Sequence, residues 1–410
     1  MSVTAISIIA AIIASGALDV YLRRRQMNSV RASRDSIPVD FRSVVTLEEH
    51  RRAADYTLAN ARLGALHTIF DTGLSVLWLT VLLAPLYALV AALFEPGLMR
   101  SVAFVMAIGA VSYGLALPFA LVKTFKIEAA FGFNRTTPRI FALDQIKGLV
   151  LQFVIAAPLL FGLFWLIEAL PRLWWVIGWA ATVLLTIGAS VIYPMWIAPL
   201  FNAFRPLPDG PMKSRIEALL ARCGFKSNGL YVMDASKRSS HGNAYFTGFG
   251  KVKRIVFFDT LLEKHTEDEI ISVLAHELGH FKLGHIGQRL AQSAILLFVI
   301  FAVLHWAFSA GGLASQFGLP DDPGIVLMIV SAALGPLLRL SAPLLNFLSR
   351  RAEFQADAFA KAIVGEEDMI NALTRLSRDN LATLTPDRIY AMFYYSHPPI
   401  PIRVAQLKAA

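Results

Sequence analysis

The chain is 410 residues long, 56% hydrophobic and only 16% charged, whereas a soluble domain carries about 25% charged residues. With a mean hydropathy of +0.56, this composition excludes an ordinary water-soluble enzyme, a disordered tail and a secreted disulfide scaffold. Cys223 is the only cysteine, so no intrachain disulfide can form and any bound metal must use other ligands. The formal net charge of +9 fits nucleic-acid binding in a soluble protein and cytoplasmic loops in a membrane protein, so the placement of the basic residues decides.

A hydrocarbon layer about 30 Å thick takes roughly 20 mainly apolar helical residues. Seven stretches meet that need: 2–21, 66–94, 101–122, 148–168, 174–198, 288–309 and 325–347. The first has no basic residue ahead of its apolar run and is followed by Arg23, Arg24 and Arg25. It therefore reads as a retained span rather than a signal peptide. Loop 22–65 carries nine Arg and loop 123–147 five Lys or Arg, against one each in 95–100 and 169–173 and none in 310–324. This asymmetry predicts an N-terminus outside, with loop 199–287 and the C-terminal tail in the cytoplasm. The basic excess is thus topology, membrane lipid is the expected surroundings, and nucleic acid is not an expected partner.

The expected organisation is five spans with basic loops over 1–198, a small cytosolic α/β insert over 199–287, spans six and seven over 288–347, and a cytosolic helical region over 348–410. Within the insert, SRIEALLARCGF predicts an amphipathic helix, while LYVMDAS, NAYFTGFG and KRIVFFDTLL predict strands from their β-branched and aromatic content. Residues 38–62 predict a cytosolic helix leading into the second span, and 348–378 an amphipathic helix after the seventh.

The chemistry concentrates in ISVLAHELGHFKLGH. His276 and His280 are four apart, on one face of a helix, so both imidazoles can reach one ion. Glu277, about 100° around that helix, can act as general base on water at the metal. Thr266 followed by Glu269 predicts a capping box that starts the helix. A catalytic zinc needs a third protein ligand. His285 comes five residues after His280, where a third metzincin histidine would come six after, and Leu283 occupies the turn that would need glycine. The better candidate is Glu353 in SRRAEFQADAFA, completing a set of two His and one carboxylate that favours zinc, one ion per chain. Asp357, four residues on, can accept a hydrogen bond from a ligand imidazole. The His pair directly precedes the sixth span and the Glu353–Asp357 pair directly follows the seventh, so adjacent helices would bring them together at one membrane face.

Two further segments suit a peptidase. NAYFTG alternates like a strand whose edge can bind an extended peptide, with Asn243 able to add a side-chain bond to substrate backbone. In YYSHPPIPIR, His397 and Arg403 can stabilise an oxyanion.

HELGHFKLGH, EFQADAFA, seven spans and the SHPP…R tail closely resemble the type I CAAX prenyl endopeptidase family of integral-membrane zinc metallopeptidases. FGFNRTTPRIF and YPMWIAPLFNAFRPLPDG extend the likeness nearly end to end. The resemblance implies His276, His280 and Glu353 as zinc ligands and Glu277 as general base. It implies Asp357 as the family's second carboxylate, and Asn243, His397 and Arg403 as positions near the substrate and the oxyanion. It also implies a ring of seven helices around a water-filled chamber, and a peptide or protein substrate, lipid-modified at its C-terminus in eukaryotes. The Ala- and Arg-rich composition points to a bacterial cell (inner) membrane. The alternatives are a quality-control metalloprotease of the heat-shock type and, from another class, a transporter or channel suggested by His67 and Asp71 in the second span.

Overall fold

The computed structural model describes residues 2–225, 227, 229–247 and 254–409. Seven helical segments are long and apolar enough to cross a membrane. The first is α1 (Val3–Ala32). The second, Leu47–Leu93, joins α2 (Leu47–Leu77) to α3 (Leu83–Leu93) through a π-helical turn at Trp78–Leu82. Next come α4 (Leu98–Leu121), extended by a second π-helical stretch to Glu128, α5 (Pro138–Ala169) and α6 (Trp174–Ile192). Three water-side helices follow: α7 (Pro211–Arg222), α8 (Asp259–Lys264) and α9 (Glu267–Lys282). The last two spans are α10 (His285–Ala310) and α11 (Pro323–Val364). Only 6–22% of the apolar windows of these spans is buried inside the protein, the exposure expected of an integral-membrane bundle.

The helices outrun the apolar segments. The cytosolic helix expected over 38–62 and the second span form one rod from Leu47, started by a Thr46–Glu49 capping box. The amphipathic helix expected over 348–378 is divided at Gly365: its first half continues α11 and its second is α12 (Glu366–Asp379). Hydropathy marks where lipid ends, whereas main-chain hydrogen bonding carries a helix on into water wherever its residues permit.

Trp174, Phe104, Leu83, Ile325 and Ile329 form the centre of the bundle core. A buried carboxylate ties three of the spans together. Asp19 accepts from Arg23 Nε at 3.0 Å, from Arg339 Nη1 at 2.7 Å and from the Thr68 hydroxyl, pinning α1, α2 and α11 together. A carboxylate at that depth is tolerated because it is fully paired.

The water-side lobe holds a four-stranded sheet of β1 (Phe204–Pro206), β2 (Leu230–Met233), β3 (Ala244–Thr247) and β4 (Arg254–Phe258), in the order β1-β2-β4-β3. β2 and β4 run parallel, with Leu230 opposite Ile255, and β3 lies antiparallel on the edge, with Ala244 opposite Phe257. β1 escapes sequence reading because it is three residues ending in proline. Of the segment NAYFTGFG, Gly248, Phe249 and Gly250 lie outside the described residues, as does Lys253 of KRIVFFDTLL. Ile255 and Phe257 pack with Ile216 of α7 and with Ile270 and Leu274 of α9. Cys223 joins the edge of that core as an ordinary apolar group. The loop FGFNRTTPRIF ties the lobe to the bundle: Arg135 N donates to the Arg238 carbonyl at 3.1 Å, and the Arg238 guanidinium holds Asp144 of α5 at 2.8 and 2.9 Å. The chain ends in α13 (Arg388–Tyr394) and α14 (Ile400–Ala409), which packs on α11 and α12.

Candidate metal centre

The predicted capping box is present: Glu269 N donates to Thr266 Oγ1 at 3.3 Å and Thr266 N to Glu269 Oε2 at 2.9 Å. It starts α9, whose apolar face is set into the lobe core, leaving His276 and His280 turned toward α11. The two helices approach unusually closely at Gly279. A β-carbon there would lie 3.0 Å from the Ala356 α-carbon and 3.2 Å from its carbonyl oxygen. Backbone cannot retreat as a side chain can, so Gly279→Ala is expected to push α9 from α11 by a few tenths of an ångström and to weaken metal binding. Metal titration of the purified variant checks this, and affinity equal to wild type would separate the close approach from the donor geometry.

Across that contact, Glu353 stands between the two imidazoles. Its Oε2 is 3.3 Å from His276 Nε2, its Oε1 is 3.2 Å from His280 Nε2, and the two Nε2 atoms are 3.2 Å apart. Glu353 is 0% exposed, and among the described residues its carboxylate oxygens make no hydrogen bond of good geometry. A buried carboxylate with no donor is costly unless a cation meets it. His276 points the same way, because its Nδ1 lies 2.8 Å from Asp357 Oδ1, which keeps a proton on Nδ1 and leaves Nε2 as the nitrogen that can take an ion. Three electron-pair donors thus converge on one point, and the residues fit a metal ion of the kind that takes two His and one carboxylate.

Electrostatics agree. Burial disfavours a charged His276, but the Asp357 and Glu353 carboxylates outweigh it and hold the ring at about 9. The charges that favour a proton there favour a metal as well. Burial raises Glu277 above the ordinary carboxylate range, against the opposing pull of His276 and His280. Such a shift suits a group that must accept a proton and release it again.

Behind the donors, Arg403 grips Asp357 with Nε on Oδ2 at 2.7 Å and with Nη2 on Oδ1, and Nη2 also lies 3.4 Å from His276 Nδ1. Arg403 is 7% exposed, so its charge is committed to holding Asp357. His397 is on the open side: its Nε2 is 3.3 Å from Glu353 Oε1 and its side chain is 61% exposed to a cavity of ≈ 580 Å³. The walls of that cavity include Arg23, Asn60, Lys123 and Tyr394. Desolvation outweighs the opposing pull of Glu353 and lowers the pKa of His397 below the usual histidine value. Asn243 precedes edge strand β3; its side-chain oxygen accepts from Ala244 N at 2.9 Å and its carbonyl from Phe258 N at 3.0 Å. His285 does not join the donors: it is 1% exposed and lies against His280 and Gln355. One neighbour escaped sequence reading. Arg289, with Nη2 3.6 Å from Glu353 Oε1, sits four residues after His285 on α10, a spacing that could have revealed it.

Water attack on a carbonyl is the chemistry open to such donors with a protonatable Glu277 beside them, and the surrounding spans make this an integral-membrane metallopeptidase. The family comparisons agree. Residues 26–203 match the CAAX prenyl protease N-terminal family of five membrane helices, and residues 206–410 match peptidase family M48. The chain belongs to peptidase family M48 and carries the N-terminal membrane region of its CAAX prenyl proteases. It is 35% identical over 407 residues to a CAAX prenyl protease 1 homolog of Oryza sativa subsp. japonica, covering 96% of this chain and 94% of that one. It is 30% identical over 425 residues to CAAX prenyl protease 1 of Saccharomyces cerevisiae, covering 96% and 93%. The crystal structure of S. mikatae Ste24p superposes with a TM-score of 0.93 at 29% identity, covering 99% of both chains. A likeness of that extent carries the chamber-forming helical architecture expected from the resemblance, and leaves no place for the transporter reading.

Proposed function

We propose that this chain is a zinc-dependent endopeptidase that cleaves near the C-terminus of lipid-modified proteins at a membrane surface. The observation that carries the reading is the buried Glu353 carboxylate set between two imidazole nitrogens. His276, His280 and Glu353 are the residues that would hold the ion. Zinc so held supplies Lewis-acid polarisation of the scissile carbonyl and makes water acidic enough to attack near neutral pH. Glu277 takes the proton of the attacking water and delivers it to the departing amine, a role its burial-raised proton affinity supports. His397, facing the cavity, donates a hydrogen bond to the oxyanion. Asp357 orients His276, and Arg403 holds Asp357 in place. The edge of β3, with Asn243 at its start, receives the substrate as an added strand.

A prenylated Cys-containing C-terminus is the proposed substrate. The names of the relatives support it, as does a cavity of ≈ 580 Å³ beside His397, a size typical of small-molecule pockets. The arginine-rich loops support an N-terminus outside and a lobe in the cytoplasm. The relatives named above are eukaryotic, so the bacterial cell membrane rests on composition alone.

The test is cleavage of matched peptides, with and without a farnesylated cysteine four residues from the C-terminus, by detergent-purified protein of measured zinc content. Faster cleavage of the farnesylated peptide is expected. Cleavage of both at equal rates would remove the lipid from the substrate definition and move the reading toward quality-control proteolysis.

A further inference from the structure

We propose that His285 and Gln355 form a proton relay that keeps the proton of His280 on Nδ1, so that Nε2 is presented bare to the metal. The proposal rests on the metal-centre reading above and adds two positioning residues to it. His280 Nδ1 lies 2.9 Å from His285 Nδ1, and His285 Nε2 lies 3.0 Å from Gln355 Oε1. Two neutral imidazole nitrogens at that separation share one proton, so one ring donates and the other accepts.

Gln355 decides which. Its amide oxygen only accepts, so His285 carries its proton on Nε2 and its Nδ1 is a lone pair. That lone pair accepts from His280 Nδ1–H. His280 Nε2 is then unprotonated, and it is the nitrogen 3.2 Å from both Glu353 Oε1 and His276 Nε2. With the amide reversed, its NH₂ would donate to His285 Nε2, and the proton of His285 would move to Nδ1. His280 would then carry N–H on Nε2, pointing into the donor cluster where the ion must sit. The orientation of one amide therefore separates a metal-competent centre from an incompetent one.

The local fold builds this contact. α9 ends at Lys282, Gly284 takes φ +73°, and α10 begins at His285. That left-handed turn, open to glycine at little cost, breaks the helix and sets His285 against His280. A spacing of five residues, wrong for a third ligand, is right for a partner of the second. The chemistry of the partner also matters. His276 is served by Asp357, whose charge Arg403 balances, while His280 is served by two neutral side chains. A carboxylate behind His280 would add a negative charge and weaken the ion as a Lewis acid.

The test measures zinc affinity by chelator competition and thermal unfolding of the metal-stripped protein, for wild type and four variants of the full chain in detergent. His285→Phe keeps the bulk and removes the acceptor, and is expected to weaken zinc binding about 10–100-fold, as loss of an outer partner of a ligand histidine does. His285→Asn, whose amide oxygen can take the place of Nδ1, is expected to restore most of that loss. Gln355→Leu is expected to weaken binding, and Gln355→Glu, which can only accept from His285, to match or exceed wild type. Unfolding of the stripped protein should not follow this order. Should His285→Phe fail to fold, the Gln355 pair carries the test, because Gln355 is exposed. Wild-type affinity in both His285→Phe and Gln355→Leu would overturn the relay and leave the metal centre standing. Equal loss in Gln355→Leu and Gln355→Glu would also overturn it. A folded wild type that binds no zinc would overturn the metal reading and the relay with it.

Discussion

Glu277→Gln is expected to lower kcat for peptide hydrolysis by at least about 10²–10⁴-fold, the usual contribution of a positioned acid–base group, with zinc content unchanged. Glutamine preserves the shape and the α9 register, so His276 and His280 keep their places, but its amide takes no proton from attacking water. The pH dependence follows from the same residue. Burial holds Glu277 above the ordinary carboxylate range, and only the ionised form accepts a proton. Activity therefore rises with pH through that elevated value and is lost as pH falls below it. The acid limb of kcat/KM should lie above the ~4.3 of an unperturbed glutamate. An acid limb at or below that value, or full activity in Glu277→Gln, would remove Glu277 as the base. Zinc lost together with activity would instead assign it a part in holding the ion.

The membrane architecture was legible because lipid imposes a length and a polarity on each span, and both are written locally in the sequence. All seven predicted spans have a counterpart among the membrane-long helices. What the hydropathy pattern could not give was where the helices stop. Leu47–Leu93 and Pro323–Val364 run far beyond their apolar windows, and the second overrun delivers function. Because α11 does not break on leaving the apolar zone, Glu353 and Asp357 stand on the same rigid rod as the seventh span. Asp19 also passed unnoticed: a single acid in an apolar run is a weak signal until Arg339, 320 residues away in sequence, is seen to hold it.

The candidate site divides in the same way. His276, Glu277 and His280 are readable because a helix makes their spacing a geometry, and Glu353 and Asp357 because they repeat that spacing on a second helix. The closeness of the two helices was not readable: it depends on the missing β-carbon of Gly279 meeting the backbone of Ala356. His285 reads as a poor third ligand from its spacing. Its contact with His280 depends on the turn at Gly284, and motif spacing alone does not describe that turn. Arg403 had the opposite fate. Residue type and resemblance both put it near the oxyanion, whereas its guanidinium is closed onto Asp357.

Glu353→Gln and Asp357→Asn are expected to separate a ligand from its support. Glu353→Gln removes the only charge among the three donors, and its zinc affinity should fall by more than the about 10–100-fold typical of an outer partner. Asp357→Asn still accepts from His276 Nδ1, and its affinity should fall within the about 10–100-fold range. Its penalty appears in stability instead: Arg403 is left as a buried guanidinium facing a neutral amide, and breaking a buried pair from one side costs about 3–5 kcal/mol. Replacing Arg403 by methionine in the same chain removes the stranded charge and should recover much of that stability without recovering metal affinity. Zinc titration and thermal unfolding of the three variants give the comparison. A larger loss of affinity in Asp357→Asn than in Glu353→Gln would exchange the two roles and make Asp357 the ligand.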